Sequence, residues 1–217
     1  MISTRIPPDR SILLLAPVRG LSAEVAPTIV ALAEFRPELI GLGLSAEELH
    51  GLLDYFVLSE AEPIVPLSPT ETSEVRGLSR FGEVRVPNPT FVEVVRWGRE
   101  RSIPVESLDP TDEESAHLFA EHIGYVELVR RTVRERRISR HPPAPSSADE
   151  FALAWDREVA SGRGSRGLAG ARDRHLVREV GRLRRERSRT AVVVDRERFD
   201  AVRAYLTDGI PPSMSDE

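Results

Sequence analysis

SILLLAPVRG, residues 11–20, is a continuous apolar run that ends in a Pro/Gly loop. A strand that alternates apolar and polar residues buries one face, whereas a strand apolar throughout is buried on both, as in a parallel sheet covered on each side by helices. Ser11–Leu15 therefore reads as a central strand, and Ala16–Gly20 as the loop leaving its carboxyl end. The next stretch agrees. Val25, Ile29, Leu32 and Ala33 share one face of a helix that starts near Glu24, tolerates Pro27 only in its first turn and stops before Pro37. Leu39–Leu44 reads as a second strand. Ser45 and Glu48 then stand at capping-box spacing and open a helix that is amphipathic through Leu49, Leu52, Leu53 and Phe56.

Further along, Thr90 and Glu93 repeat that spacing ahead of Val94, Val95 and Trp97, and a strand follows at Ile103–Leu108. One long helix is predicted over Thr111–Arg137, with Ala116, Phe119, Ala120, Ile123, Val126, Val129 and Val133 as its buried stripe. Asp149–Ala160 reads as a helix, Ser161–Gly170 as a mobile Gly/Arg loop, and Ala171–Arg187 as a helix buried through Leu176, Val180 and Leu183. Thr190–Val194 is the last strand, and Phe199, Val202 and Leu206 mark a final helix. Residues 61–89 read as an irregular excursion over the sheet edge, with short strands at Pro63–Leu67 and Glu83–Val86. Residues 141–170 read as a loop-rich helical part and 209–217 as a frayed tail. The fold class is α/β: a mostly parallel central sheet with helices on both faces, in a single domain over 1–217, with a helical segment at 111–188 inserted before the last strand.

Composition narrows the chemistry. Hydrophobic residues make up 40% and charged residues 30% of the 217, a globular balance. There is no cysteine, so disulfides, thiol catalysis and thiolate metal sites are excluded. All 30 basic residues are arginine, which excludes Schiff-base chemistry and a P-loop lysine within this chain. No apolar run approaches the roughly 20 residues that cross a bilayer, so no membrane partner and a cytoplasmic location are expected. The net charge of −5 argues against a general nucleic-acid binder, although arginines are dense at Arg130–Arg140 and Arg172–Arg189.

In parallel α/β sheets, ligands bind beyond the carboxyl ends of the strands. Four segments should meet there: Ala16–Gly20, Gly43–Ser45, Asp109–Pro110 and Asp195–Arg198. Read in order, ILLLAPVRGLS (12–22), LIGLGLS (39–45), Leu108-Asp109-Pro110 and AVVVDRERFDAVRAYL (191–206) resemble the framework of the TraB family, whose relatives include the Tiki metalloproteases. In that family the first and last strands each end in Gly-x-x-His, the second carries a Glu and a middle one ends in Asp-Arg. Here Ala16 and Asp195 stand at the glycine positions, Arg19 and Arg198 at the histidines, Gly43 at the Glu, and Pro110 at the arginine. Arg172-Asp173 resembles the family's Glu-Arg-Asp helix start, with Ala171 in place of the Glu.

The resemblance implies a family scaffold without the family's chemistry. Guanidinium has no lone pair to give a metal, and two lost histidines and a lost Glu remove the metal site and the general base together. Neither a metal nor another cofactor is expected, and the reading leans away from an enzyme. Arg19 and Arg198, with Arg172 as third member, could instead form a clamp for phosphate or carboxylate near helix N-termini. The plainer alternative pairs each arginine with a surface acid such as Glu24 or Glu197.

Other motifs carry less. His117 and His122 lie about 140° apart round a helix and cannot share a metal, and His50, His141 and His175 have no ligand spacing. SGRGSRGLAG (161–170) lacks a P-loop lysine and does not follow a strand. RRTVRERRISR (130–140) has no interleaved aromatics to stack bases, so a solvated helix end is favoured over nucleic-acid binding. No Gly-x-Ser-x-Gly elbow occurs. Asp109, Asp195 and Glu197 could make a rebuilt hydrolytic carboxylate site, against the commoner reading that they cap the following helices. The expectation is a catalytically degenerate TraB-like domain that binds a small anion or a protein partner, with homo-oligomerisation left open.

Overall fold

The computed structural model describes residues 1–6, 12–58 and 67–208, without the side chains of 55–58 and 208. Ser11, the burial of Phe56, most of the expected strand Pro63–Leu67 and the tail 209–217 lie outside the described residues. The fold is α/β, as the apolar run at 11–15 requires. Strands β1 (Ile2–Ile6), β2 (Ile12–Ala16), β3 (Leu39–Leu42), β4 (Val105–Ser107) and β5 (Thr190–Val193) form one sheet in the order β1-β2-β5-β3-β4. β2, β5, β3 and β4 run parallel, and only the edge strand β1 is antiparallel.

Every residue of β2 is buried, and its pleat splits them between two cores. Ile12, Leu14 and Ala16 pack with Leu176, Val180 and Leu183 of helix α8 (Arg163–Glu186) and with Phe199 and Val202 of α9 (Phe199–Asp208). Leu13 and Leu15 pack on the opposite face with Leu32 and Phe35 of α1 (Val25–Phe35), Leu52 of α2 (Ala46–Leu58) and Phe91 of α4 (Pro89–Glu100). Each large apolar side chain so buried contributes about 1.5–3 kcal/mol, so this strand and its neighbour β5 anchor both layers. A third cluster lies beyond the strand ends. There Val18 and Leu21 pack under α3 (Pro69–Leu78), α6 (Tyr125–Arg140) and α7 (Ala148–Val159) through Leu78, Ile138, Phe151 and Trp155.

Several expected elements differ. The strand β1 has no counterpart in the sequence reading; with alternating burial and only Ile6 fully buried, it is an edge strand with a weak signature. Part of the excursion 61–89 is helix α3, opened by a full capping box between Ser68 and Glu71. The Ser45–Glu48 box forms as expected. The Thr90–Glu93 box does not: Asn88 caps α4 by accepting from the Thr90 amide, Pro89 takes the first helical position, and Glu93 pairs with Arg96.

The long helix 111–137 is two helices, α5 (Asp112–His122) and α6. Ile123 takes an extended conformation and Gly124 caps α6, so the apolar stripe does not run through. Ile123 is buried, but Ala116 and Ala120 are exposed, and Val126, Val129 and Val133 are 61, 47 and 62% exposed. The expected Gly/Arg loop 161–170 is largely the first turns of α8. Its glycines serve a close helix approach: a Cβ on Gly164 would lie 2.4 Å from the His122 carbonyl oxygen, and one on Gly167 would lie 2.9 Å from the His122 ring. The helical insertion before the last strand is present as α5–α8, with helices on both faces of the sheet.

Candidate functional site

The loop after β2 is held by a second backbone segment. Ser22 N–H donates to the Glu83 carbonyl (2.9 Å), Arg85 N–H donates to the Gly20 carbonyl (2.9 Å), and Leu21 bridges to Val84. Gly20 has φ +80°, and a Cβ there would press on Val84 at 3.1 Å, so the turn needs glycine. At the end of β3, Gly43 runs beside the Val194 backbone, 3.4 Å from where a Cβ would sit, an ordinary contact distance. Space remains above the strand ends.

That space is a cavity of about 810 Å³. Arg19, Gly43, Asp109 and Asp195 line it, so all four parallel strands contribute the residues that follow them. Leu44, Leu52, Val75, Leu78 and Phe91 form an apolar wall. Its charged lining is unequal: the arginines are Arg19, Arg85 and Arg172, and the acids are Glu48, Asp54, Glu71, Glu74, Asp109 and Asp195.

Asp109 forms the floor. Its side chain is only 4% exposed, and each oxygen takes one guanidinium: Arg172 donates to Oδ2 at 2.9 Å and Arg198 to Oδ1. Arg198 also donates to Asp173 at 3.0 Å, and its own side chain is 12% exposed. Burial pushes the Asp173 carboxyl up while Arg198 draws it down, and burial likewise raises Asp156, with Asp173 adding to it. Arg198 therefore sits behind Asp109 and does not line the cavity, whereas Arg172, 44% exposed, does. Two of the three arginines of the expected clamp thus converge on one internal carboxylate, neither of them on Glu24 or Glu197.

Arg19 differs. It is exposed within the cavity and makes neither a hydrogen bond nor an ion pair with any described residue. The field of Asp195 holds its charge firmly, with Glu74, Glu197 and Glu48 adding to it. Asp195 stands where a helix cap would, at the start of the turn Arg196–Arg198, yet its side chain makes no cap hydrogen bond and its Oδ1 is buried without a partner. Burial pushes this carboxyl up, against the opposing fields of Arg19 and Arg198, and Asp109 and Glu48 push it further. Burial and Asp195 together push Glu197 up to about 8, and burial raises Glu74 against the pull of Arg19.

Capping is therefore not what Asp109 or Asp195 does: Thr111 caps α5, and no side chain caps the last turn. Glu197 does not line the cavity. The site also uses residues that carry no strand-end signature. Glu48 was legible only as a capping residue, Glu74 lies in the unrecognised α3, and Asn88 brings a buried Nδ2 with no partner to the cavity lining. In the arginine-rich stretch, Arg131 pairs with Glu135 and Arg134 approaches Glu127. Among the described residues, no cluster of three or more histidines and carboxylates could hold a metal, and no helix is long and apolar enough to cross a membrane. Comparison with protein-family models, curated proteins and solved structures finds no match.

Proposed function

We propose that this chain is a small-molecule binding domain on a divergent TraB-like scaffold, taking an anion at Arg19 on the carboxyl edge of the sheet. The observation that carries the reading is the contrast among the arginines at this edge of the sheet. Arg172 and Arg198 have carboxylate partners, while Arg19 points a guanidinium with no described partner into an open cavity beside a buried, unpartnered carboxyl oxygen. Buried polar groups are satisfied as a rule, so the orphan Asp195 Oδ1 on a cavity-lining residue supports a place for a missing partner. The planar fork of arginine suits a carboxylate or phosphate oxygen pair. The TraB-like alignment is consistent with this: the residues at both histidine positions, Arg19 and Arg198, act on the same Asp195.

A hydrolytic reading rests on Asp195, whose orphan oxygen and raised affinity for a proton suit a general acid; Asp109 has both oxygens engaged by arginine. Calorimetric titration of the wild type and Arg19→Gln with inorganic phosphate and simple carboxylates tests the binding reading. Saturable binding to the wild type that is lost in Arg19→Gln is expected. No binding by any anion, or binding that survives the substitution, overturns it.

A further inference from the structure

The lining of the cavity narrows what the anion is. Its acids outnumber its arginines, and Asp109 neutralises part of the charge of Arg172, so the field around Arg19 is acidic. A dianion such as phosphate meets that field twice over; a monocarboxylate meets it once. The same cavity carries the apolar wall of Leu44, Leu52, Val75, Leu78 and Phe91, with room for more than a headgroup within about 810 Å³. Covering such a wall with an alkyl chain stabilises the complex by about 0.8 kcal/mol per buried CH₂.

Resting on the reading of Arg19 as the anion anchor, we propose that the ligand is an amphipathic monocarboxylic acid, its carboxylate between the Arg19 guanidinium and the Asp195 carboxyl group and its apolar body against the α2–α3–α4 wall. The groups that act on Asp195 are Arg19 from the β2 loop, Arg198 and Glu197 from its own turn, Asp109 after β4, Glu48 from α2 and Glu74 from α3. A carboxylate arriving at Arg19 offsets the charge that favours ionised Asp195. The protonated Asp195 carboxyl donates a hydrogen bond to the ligand oxygen. Binding takes that protonated form, so affinity falls as pH rises through the range in which Asp195 ionises.

The test is calorimetric titration of the full chain with octanoate, acetate, 1-octanol and inorganic phosphate, at about pH 8, 7 and 6. Octanoate should bind at least about tenfold more tightly than acetate or phosphate, with affinity gaining up to about tenfold per pH unit on acidification. Arg19→Gln should abolish that binding, and Asp195→Asn, whose amide donates at every pH, should flatten the pH profile. Octanol binding as well as octanoate overturns the carboxylate requirement. Phosphate or acetate binding through Arg19 without octanoate preference overturns this ligand class while leaving the anion-binding reading in place. Loss of all anion binding overturns both. A pH profile unchanged by Asp195→Asn removes Asp195 from the site.

Discussion

Arg198 and Arg19 leave neighbouring, hydrogen-bonded strands, β5 and β2, and both charges act on the same half-buried Asp195, yet their circumstances are opposite. Arg198 is buried and divides its donors between Asp109 and Asp173; Arg19 is open to the cavity and has no described partner. Position in a strand-end motif therefore does not decide what an arginine does. The carboxylates within reach decide it: where internal acids saturate the guanidinium it holds the fold, and where they stand back, as around Arg19, its donors stay open to the cavity.

The largest effect should come from Arg198→Ala. Removing one partner of a buried ion pair leaves Asp109 and Asp173 uncompensated, which costs about 3–5 kcal/mol, read as a lower urea midpoint. A loss below about 1 kcal/mol would show that Asp109 relaxes onto Arg172 alone and would break the contrast. Arg172→Ala is intermediate. Its half-exposed guanidinium holds the other Asp109 oxygen, and screening reduces its contribution to about 1 kcal/mol in the same measurement.

How much of this was legible in the sequence differs by element. The unbroken apolar run of β2 and the Ser45–Glu48 box are local signals, and both survived into the structure. The break at Ile123–Gly124 was invisible because the apolar spacing continues across it, and only packing shows that Val126, Val129 and Val133 are left outside. The glycines of 162–170 looked like loop because glycine is a poor helix former; two of them, Gly164 and Gly167, lie in α8 where it passes close to His122, some 40 residues away. At the site, the strand-end rule placed Arg19, Asp109 and Asp195 at one edge. It could not choose partners, because Asp109 meets Arg172 and Arg198 across separations of 63 and 89 residues.

Smaller effects probe the protonated side of the contrast. Glu197 holds its proton up to about 8 in the folded protein and ionises near its ordinary value when unfolded. The folded state thus binds more protons between those values, and stability should fall as pH rises from about 4.5 to about 8 and level off above. Glu197→Gln should flatten that slope in thermal melts taken across the range; an unchanged slope would assign it to Asp195 or Glu74. Arg19→Gln should have the smallest effect on stability, within about 0.5 kcal/mol of the wild type, since no described contact is lost. A larger loss in urea unfolding would make Arg19 a structural residue like Arg198.

The most direct measurement is the guanidinium Nε–H NMR signal of each arginine, followed while octanoate is added and assigned with the Arg19→Gln variant. The Arg19 resonance should move saturably with ligand while that of Arg198, held by Asp109 and Asp173, stays in place. Movement of the Arg198 signal with Arg19 unchanged, or no movement of either, would contradict the account.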